Sequence, residues 1–244
     1  MLYLIGLGLG DEKDLSLNAI DVCKKCKAVY LESYTSMMGF NVENLNKLIG
    51  KPLIIASREM VENKAEEIIL KDAANEDVAF LILGDVFAAT THYDLLLRAK
   101  KLKIKVDVLH NASVFTAVGE TGLSLYKFGG VTSIPFENEN IKSPIQVINR
   151  NIRAGYHTLV LLDLDPEKNR FMSINEALVY LLQGGMGNVD CVGVTALGSK
   201  KPEIIYGKAD KLRKYKFKKF PQSLIVVGKT NFVEDEALKQ WKLK

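Results

Sequence analysis

Apolar runs of strand length alternate along this chain with stretches whose apolar residues recur at helical spacing. Strands are predicted at residues 2–5, 28–31, 53–56, 78–83 and 106–109. Further strands are predicted at 131–135, 158–164, 189–196, 204–206 and 223–227. The run at 78–83 is continuously apolar, as a strand covered on both faces should be. Between these runs, Leu15, Leu17, Ile20, Val22 and Cys23 mark a helix over 15–25. Ser57 suits the N-cap of one helix bearing Val61, Ala65, Ile68 and Ile69 on a single face. Helices are also predicted at 93–101 and 144–154, and after Ser173, where Ser173 with Glu176 reads as a capping box ahead of an apolar run to residue 182. Strands alternating with helices predict α/β layers and a largely parallel sheet. Residues 110–130 lack a strand signal and carry Gly119, Gly122, Gly129 and Gly130. A boundary there gives two α/β domains, 1–112 and 113–244.

The 244 residues are 48% hydrophobic and 25% charged, enough apolar surface to offset ordering entropy and exclude a disordered chain. Eighteen Gly, 6 Pro and 3 Cys exclude collagen-like and disulfide-scaffold classes. The longest apolar run falls far short of the roughly 20 residues that a membrane helix needs. The N-terminal MLYLIGLGLGDEKD lacks a basic region and runs directly into acids, so it reads as a first strand and not as a signal peptide. An odd number of cysteines without a secretion signal points to a reducing, cytoplasmic setting.

Chemistry gathers where strands are predicted to end, the place at which open α/β sheets bind ligands. Gly6-Leu7-Gly8-Leu9-Gly10 allows close approach of backbone N–H groups to a ligand, but Asp11 stands where the dinucleotide fingerprint needs its third glycine. Glu32 could serve such a fingerprint as the ribose-binding acid, or be a surface residue beside a tight turn. Gly84-Asp85 followed by Val86, Phe87, Ala88, Ala89, Thr90, Thr91 and His92 offers one carboxylate, room for a flat ring, and hydroxyls at a helix start. The competing reading is an N-cap cluster with His92 on the surface. His110-Asn111-Ala112-Ser113-Val114 follows the next strand, and its histidine reads better as packed or hydrogen-bonded than as a catalyst.

The other groups point less clearly to chemistry. Cys23 and Cys26 form a C-x-x-C that closes a helix, where a redox pair would open one, and too few further ligands exist for zinc. Asp163 and Asp165 read as strand-end caps. Residues 200–219 hold nine Lys/Arg against Glu203 and Asp210, with Tyr215, Phe217 and Phe220 interleaved. They form either a solvated face whose aromatics alternate inward, a pattern that also suits a lysine-guarded edge strand, or a docking surface for an acidic or RNA-associated partner.

Taken in order, GLGLGDEKDLS, YLESYTS, GDVFAATTH, LHNASVFTAVGETGLSLYKFG, HTLVLLDLD and FMSINEA resemble the diphthine synthases of the tetrapyrrole-methylase superfamily, over essentially the whole chain. The resemblance implies two α/β domains, an S-adenosylmethionine (SAM) site in the cleft between them, and a homodimer. The implied substrate is translation elongation factor 2, methylated on the amino group of a 3-amino-3-carboxypropyl chain carried by one histidine. No membrane and no nucleic acid is implied as a direct partner. Carried over, the cofactor contacts are Leu9, Asp85, Ala88, Ser113, Val114, Leu162, Leu197 and Gln222; no metal and no catalytic acid or base is assigned. Val86 stands where the family has proline, Gln222 where it usually has histidine, and Leu197 where a smaller residue is common. The alternatives are a methyl-esterifying diphthine synthase of the eukaryotic type and a tetrapyrrole methyltransferase. Those from other classes are a nicotinamide-dependent oxidoreductase built on GLGLG and Glu32, and a non-catalytic SAM-sensing module.

Overall fold

A computed structural model describes residues 1–36 and 41–243. The chain divides into two compact units, Met1–Val114 and Phe115–Lys244, each with its own sheet.

The first unit contains β1 (Leu2–Gly6), α1 (Leu17–Lys25), β2 (Ala28–Glu32), α2 (Val42–Ile49), β3 (Ile54–Ala56), α3 (Arg58–Glu62), α4 (Ile69–Asn75), β4 (Val78–Ile82), α5 (Tyr93–Lys101) and β5 (Val106–Leu109). Its strands lie in the order β3-β2-β4-β1-β5, all parallel. β4 is wholly buried because it points side chains into two cores. Val78, Phe80 and Ile82 join one with Leu2, Leu4, Ile69 and Leu95; Ala79 and Leu81 join the other with Ile5, Leu31, Leu45 and Ile49. Fully burying one such large side chain stabilises by about 1.5–3 kcal/mol, so the doubly covered sheet makes a firm base for the turns at its carboxyl ends.

Two expectations change here. The single helix expected after Ser57 is two, α3 and α4, because Arg98 of α5 donates to the last carbonyls of α3, Val61 at 3.1 Å and Glu62 at 3.0 Å. α2 went unanticipated, although Asn41 caps it and Gly50 ends it.

A short helix, α6 (Val114–Ala117), begins at the division between the units. The second unit follows with β6 (Thr132–Ile134), α7 (Ser143–Ala154), β7 (Thr158–Leu162), β8 (Leu164–Asp165), β9 (Arg170–Phe171), α8 (Ile174–Gln183), β10 (Asp190–Thr195), β11 (Glu203–Lys208), α9 (Ala209–Leu212), β12 (Gln222–Val226) and α10 (Phe232–Lys239). Its main sheet, β11-β10-β12-β7-β6, is mixed. Only the β6–β7 pair is parallel among its described pairings, so a parallel sheet holds for the first unit alone. The connection from β10 to β11 is far shorter than the dozen or more residues that a parallel crossover requires. The strand expected over 158–164 stops at Leu162. Asp163 then accepts from the Phe136 and Leu164 amides, and β8 pairs with β9 instead. The capping box at Ser173 and Glu176 is present, and a second, Asn231 with Glu234, opens the unanticipated α10.

Candidate functional site

β1 lies between β4 and β5 and parallel to both, so the turns leaving all three meet at the carboxyl end of the first sheet. Gly8 and Gly84 extend the pairing beyond the strands, each amide donating to the other's carbonyl at 3.1 and 3.0 Å. Two glycines are obligatory there. A Cβ on Gly6 would lie 2.7 Å from the Gly84 carbonyl oxygen and 2.9 Å from the Asn111 Cβ; Gly8 sits at φ +81° with Asp14 at 2.7 Å from its notional Cβ. The Asn111 side-chain amide ties the segment after β5 to the turn after β1, donating to the Gly6 and Asp14 carbonyls, both at 3.0 Å.

The glycine turn is not an open cradle of N–H groups. Asp14 Oδ2 accepts from the amides of Leu9 at 3.2 Å and Gly10 at 2.7 Å. A carboxylate of the chain thus occupies the position where a pyrophosphate would have to approach in a dinucleotide site, which removes the physical basis of the nicotinamide reading. Glu32 cannot be a ribose-binding acid at the surface either: it is fully buried. Its Oε1 accepts from the Thr35 amide at 2.6 Å and from the Thr35 hydroxyl. Burial pushes the Glu32 carboxyl above its usual range, against the pull of nearby backbone amides.

Asp85 opens the turn after β4. Its Oδ1 accepts from the Phe87 amide at 3.1 Å, and its Oδ2 from the Asn111 amide at 3.1 Å and the His110 ring at 2.8 Å. Partial burial works to raise its pKa, but these donors outweigh it and hold the group below the ordinary carboxylate value, so it is ionised at neutral pH. A carboxylate offers about four acceptor directions, so three donors leave capacity for a hydroxyl or ammonium of a ligand. Ala88 follows in a turn whose tip, Ala89, has φ +59°. Val86 at one end and His92 at the other are buried and anchor this turn. His92 is therefore not the surface residue of the competing reading. Its ring packs edge-on against Phe80, lies 3.3 Å from the Tyr34 hydroxyl, and is held neutral by burial, its pKa lowered to about 4. His110, by contrast, is exposed and hydrogen-bonded to Asp85. Ser113 is buried and Val114 half-buried in the segment after β5. Leu9, Asp85, Ala88, Ser113 and Val114 thus stand on the turns that close β1, β4 and β5.

In the second unit, Leu162 ends β7, Gln222 begins β12, and Leu197 follows β10, whose last residue Thr195 pairs with Gln222. These three share one end of the second sheet and are buried. Gln222 is committed to structure: its Oε1 accepts from the Ile174 amide at the start of α8 at 2.8 Å, and its Nε2 donates to the Lys219 carbonyl at 2.8 Å. Ala196, beside Leu197, is at φ +48°.

Other sequence candidates resolve into structural parts. Cys23 and Cys26 are buried thiols whose pKa burial raises to about 12 and about 11, the opposite of what a reactive thiolate needs. Asp163 and Asp165 accept from nearby amides, as strand-end caps do. The 213–219 stretch forms no strand. No group of three or more metal-ligating side chains occurs among the described residues, and no described helix is long and apolar enough to cross a membrane. Sequence reasoning missed Asp14 and the Asn111 side chain, whose signal was a polar side chain next to a glycine turn or strand end. It also missed the Glu32–Tyr34–His92 cluster, which shows no local signal at all.

Comparison with known proteins bears on the chain as a whole. The family described as Tetrapyrrole (Corrin/Porphyrin) Methylases matches residues 1–213. A relative from Arabidopsis thaliana, named "Probable diphthine methyl ester synthase", is 43% identical over 100% of this chain and 99% of its own. The "Diphthine synthase" of Methanocaldococcus jannaschii is 41% identical over 98% of each chain. A solved structure described as diphthine synthase superposes with a TM-score of 0.92 at 31% identity, covering 99% of this chain and 96% of the other. With a parallel glycine-turn sheet, a second mixed sheet, and relatives of this likeness along its whole length, the chain belongs to the tetrapyrrole methylase family and, within it, to the diphthine synthases.

Proposed function

We propose that this protein transfers methyl groups from SAM to the amino group of the 3-amino-3-carboxypropyl histidine on translation elongation factor 2, the N-methylation step of diphthamide formation. The observation that carries the reading is the contrast between two turns. The one after β1 has spent its Leu9 and Gly10 amides on Asp14, which disfavours a phosphate-bearing cofactor. The one after β4 presents an ionised, pre-oriented Asp85 with acceptor capacity left over. That pairing suits a phosphate-free cofactor with hydroxyls and positive charge.

Bound SAM supplies an electrophilic methyl on a sulfonium. Leu9, Asp85, Ala88, Ser113 and Val114 would hold it in the first unit. Asp85 accepts hydrogen bonds, Ala88 leaves space, and the apolar side chains exclude water. An α-amino group has a reference pKa of about 8, so part of the substrate is already a free amine near neutral pH. The chain's task is then orientation of that amine and exclusion of water. A homodimer working in the cytoplasm completes the reading.

The test is mass spectrometry of modified elongation factor 2 after incubation with SAM. A trimethylammonium product supports the reading, and an unmodified factor refutes it. One variant, continuation to a methyl ester, is compatible with the Arabidopsis relative's name, and the same spectrum distinguishes it.

A further inference from the structure

Lys200, Lys201, Lys208, Lys211, Arg213, Lys214, Lys216, Lys218 and Lys219 are all exposed. Glu203, an acid within this stretch, accepts from the Tyr215 hydroxyl at 2.7 Å and from the Lys218 backbone amide at 3.4 Å. Lys208, at the far end of β11, pairs with Asp190 at 3.0 Å and stands apart.

The segment from 213 to 219 alternates without being a strand. Lys214, Lys216 and Lys218 face solvent, Tyr215 is half-buried, and Phe217 is buried. Phe217 lies over Gly193 of β10, where any side chain would collide with its ring: a Cβ there would be 2.3 Å from Phe217 Cζ. Tyr215 packs edge-on against Phe217 at 4.9 Å. The Asn175 side chain donates to the Arg213 and Tyr215 carbonyls at 2.7 and 2.6 Å. Lys219 hands its carbonyl to Gln222 and its ammonium to the Lys201 carbonyl. A row of lysines is therefore held on a fixed backbone, at the same end of the second sheet as Leu162, Leu197 and Gln222.

We infer that Lys214, Lys216 and Lys218, with Lys201 and Lys219 beside them, form the docking surface for an acidic face of the folded protein substrate. This rests on the function proposed above. Two features favour a protein over RNA. The aromatic rings interleaved with the lysines turn inward, so they provide no platform for stacking bases. Eight of the nine cations are lysines, strongly hydrated point charges without the planar fork that grips phosphates. Such a surface speeds encounter and orients the partner, and salt screens it so that product can leave.

The experiment compares the wild type with Lys214→Glu/Lys216→Glu/Lys218→Glu by steady-state kinetics on modified elongation factor 2 at low and high salt. In the wild type, KM for the factor should rise with salt. In the variant, KM at low salt should be roughly tenfold higher or more and nearly salt-independent, with kcat at saturating factor and SAM affinity unchanged. The corresponding Lys→Gln triple variant should fall between the two. A variant KM within twofold of the wild type at low salt overturns the inference, as does loss of poly(U) retention with KM unchanged. A wild type that methylates no factor removes the proposed function and this inference with it; an active wild type matched by its variant removes docking alone.

Discussion

At Asp85 the chain keeps ionised a carboxylate that burial alone would push toward neutrality. Replacing it with alanine removes the acceptor proposed for the cofactor and strands the Phe87 and Asn111 amides. A hydrogen bond to a charged group is worth about 1.5–3 kcal/mol, so SAM affinity should fall roughly 10- to 100-fold by calorimetry. Unchanged affinity would remove Asp85 from the site. Gly6→Ala tests the meeting of turns rather than any ligand contact. Its new methyl would press on the Gly84 carbonyl and on Asn111, neither of which can swing aside as the end of a flexible side chain can. The expected result is a destabilisation of about 1–3 kcal/mol in denaturant titration, together with weakened SAM binding. At this scale the sequence was informative about which strand ends matter, because small residues and lone carboxylates after apolar runs are visible locally. It did not reveal that Asp14 fills the glycine turn, or that Glu32 and His92 are buried. Those facts depend on neighbours brought near only by the sheet.

Elements were legible where local chemistry decides them. The helix at Tyr93–Lys101 and the strand at Val106–Leu109 match the periodicity, and the capping box at Ser173 and Glu176 marks its helix start. The break between α3 and α4 was not legible, because the group that ends α3 is the Arg98 guanidinium from another helix. Glu234 shows the same principle with a measurable outcome. Buried at the start of α10, it accepts from the Ser124 and Asn231 amides at 3.0 and 2.9 Å, forms an ion pair with Lys127, and lies 3.2 Å from His157. It thereby holds three separate segments together. Desolvation opposes its charge, but the Lys127 ammonium and these amides prevail and lower its pKa to about 2. A carboxyl depressed on folding contributes its full stability above the unfolded value near 4.5, and that contribution disappears as pH falls toward 2. The amount is on the order of 3 kcal/mol. Glu234→Gln should therefore lower Tm at neutral pH and flatten the fall in Tm between pH 4.5 and 2. A variant as acid-sensitive as the wild type would show that the titrating group lies elsewhere.

For the molecule as a whole, alternation of strand and helix was enough to place the chain among α/β proteins, and it fits the first unit. It misled for the second, where β10, β11 and β12 run antiparallel to their neighbours. The sign that distinguishes them was present: the link from β10 to β11 is too short for a crossover. The lysine row shows the reverse case. Its alternation is real, yet no ladder produces it; Phe217 seated on Gly193 imposes the same inward–outward rhythm through packing.

Each unit also bends one alanine, Ala89 or Ala196, into the left-handed region beside its candidate residues. A chiral residue there carries roughly 1–2 kcal/mol of strain, whereas glycine would relieve it and lose only about 0.4–1 kcal/mol through the freedom it adds to the unfolded chain. Ala89→Gly should therefore melt at or slightly above the wild type, while Ala89→Val should melt well below it, because branching at Cβ worsens the clash. If valine is tolerated as well as glycine, the bend is soft. If it is not, the corner admits only residues that tolerate the left-handed region, and a bulky β-branched side chain there must first unwind the turn.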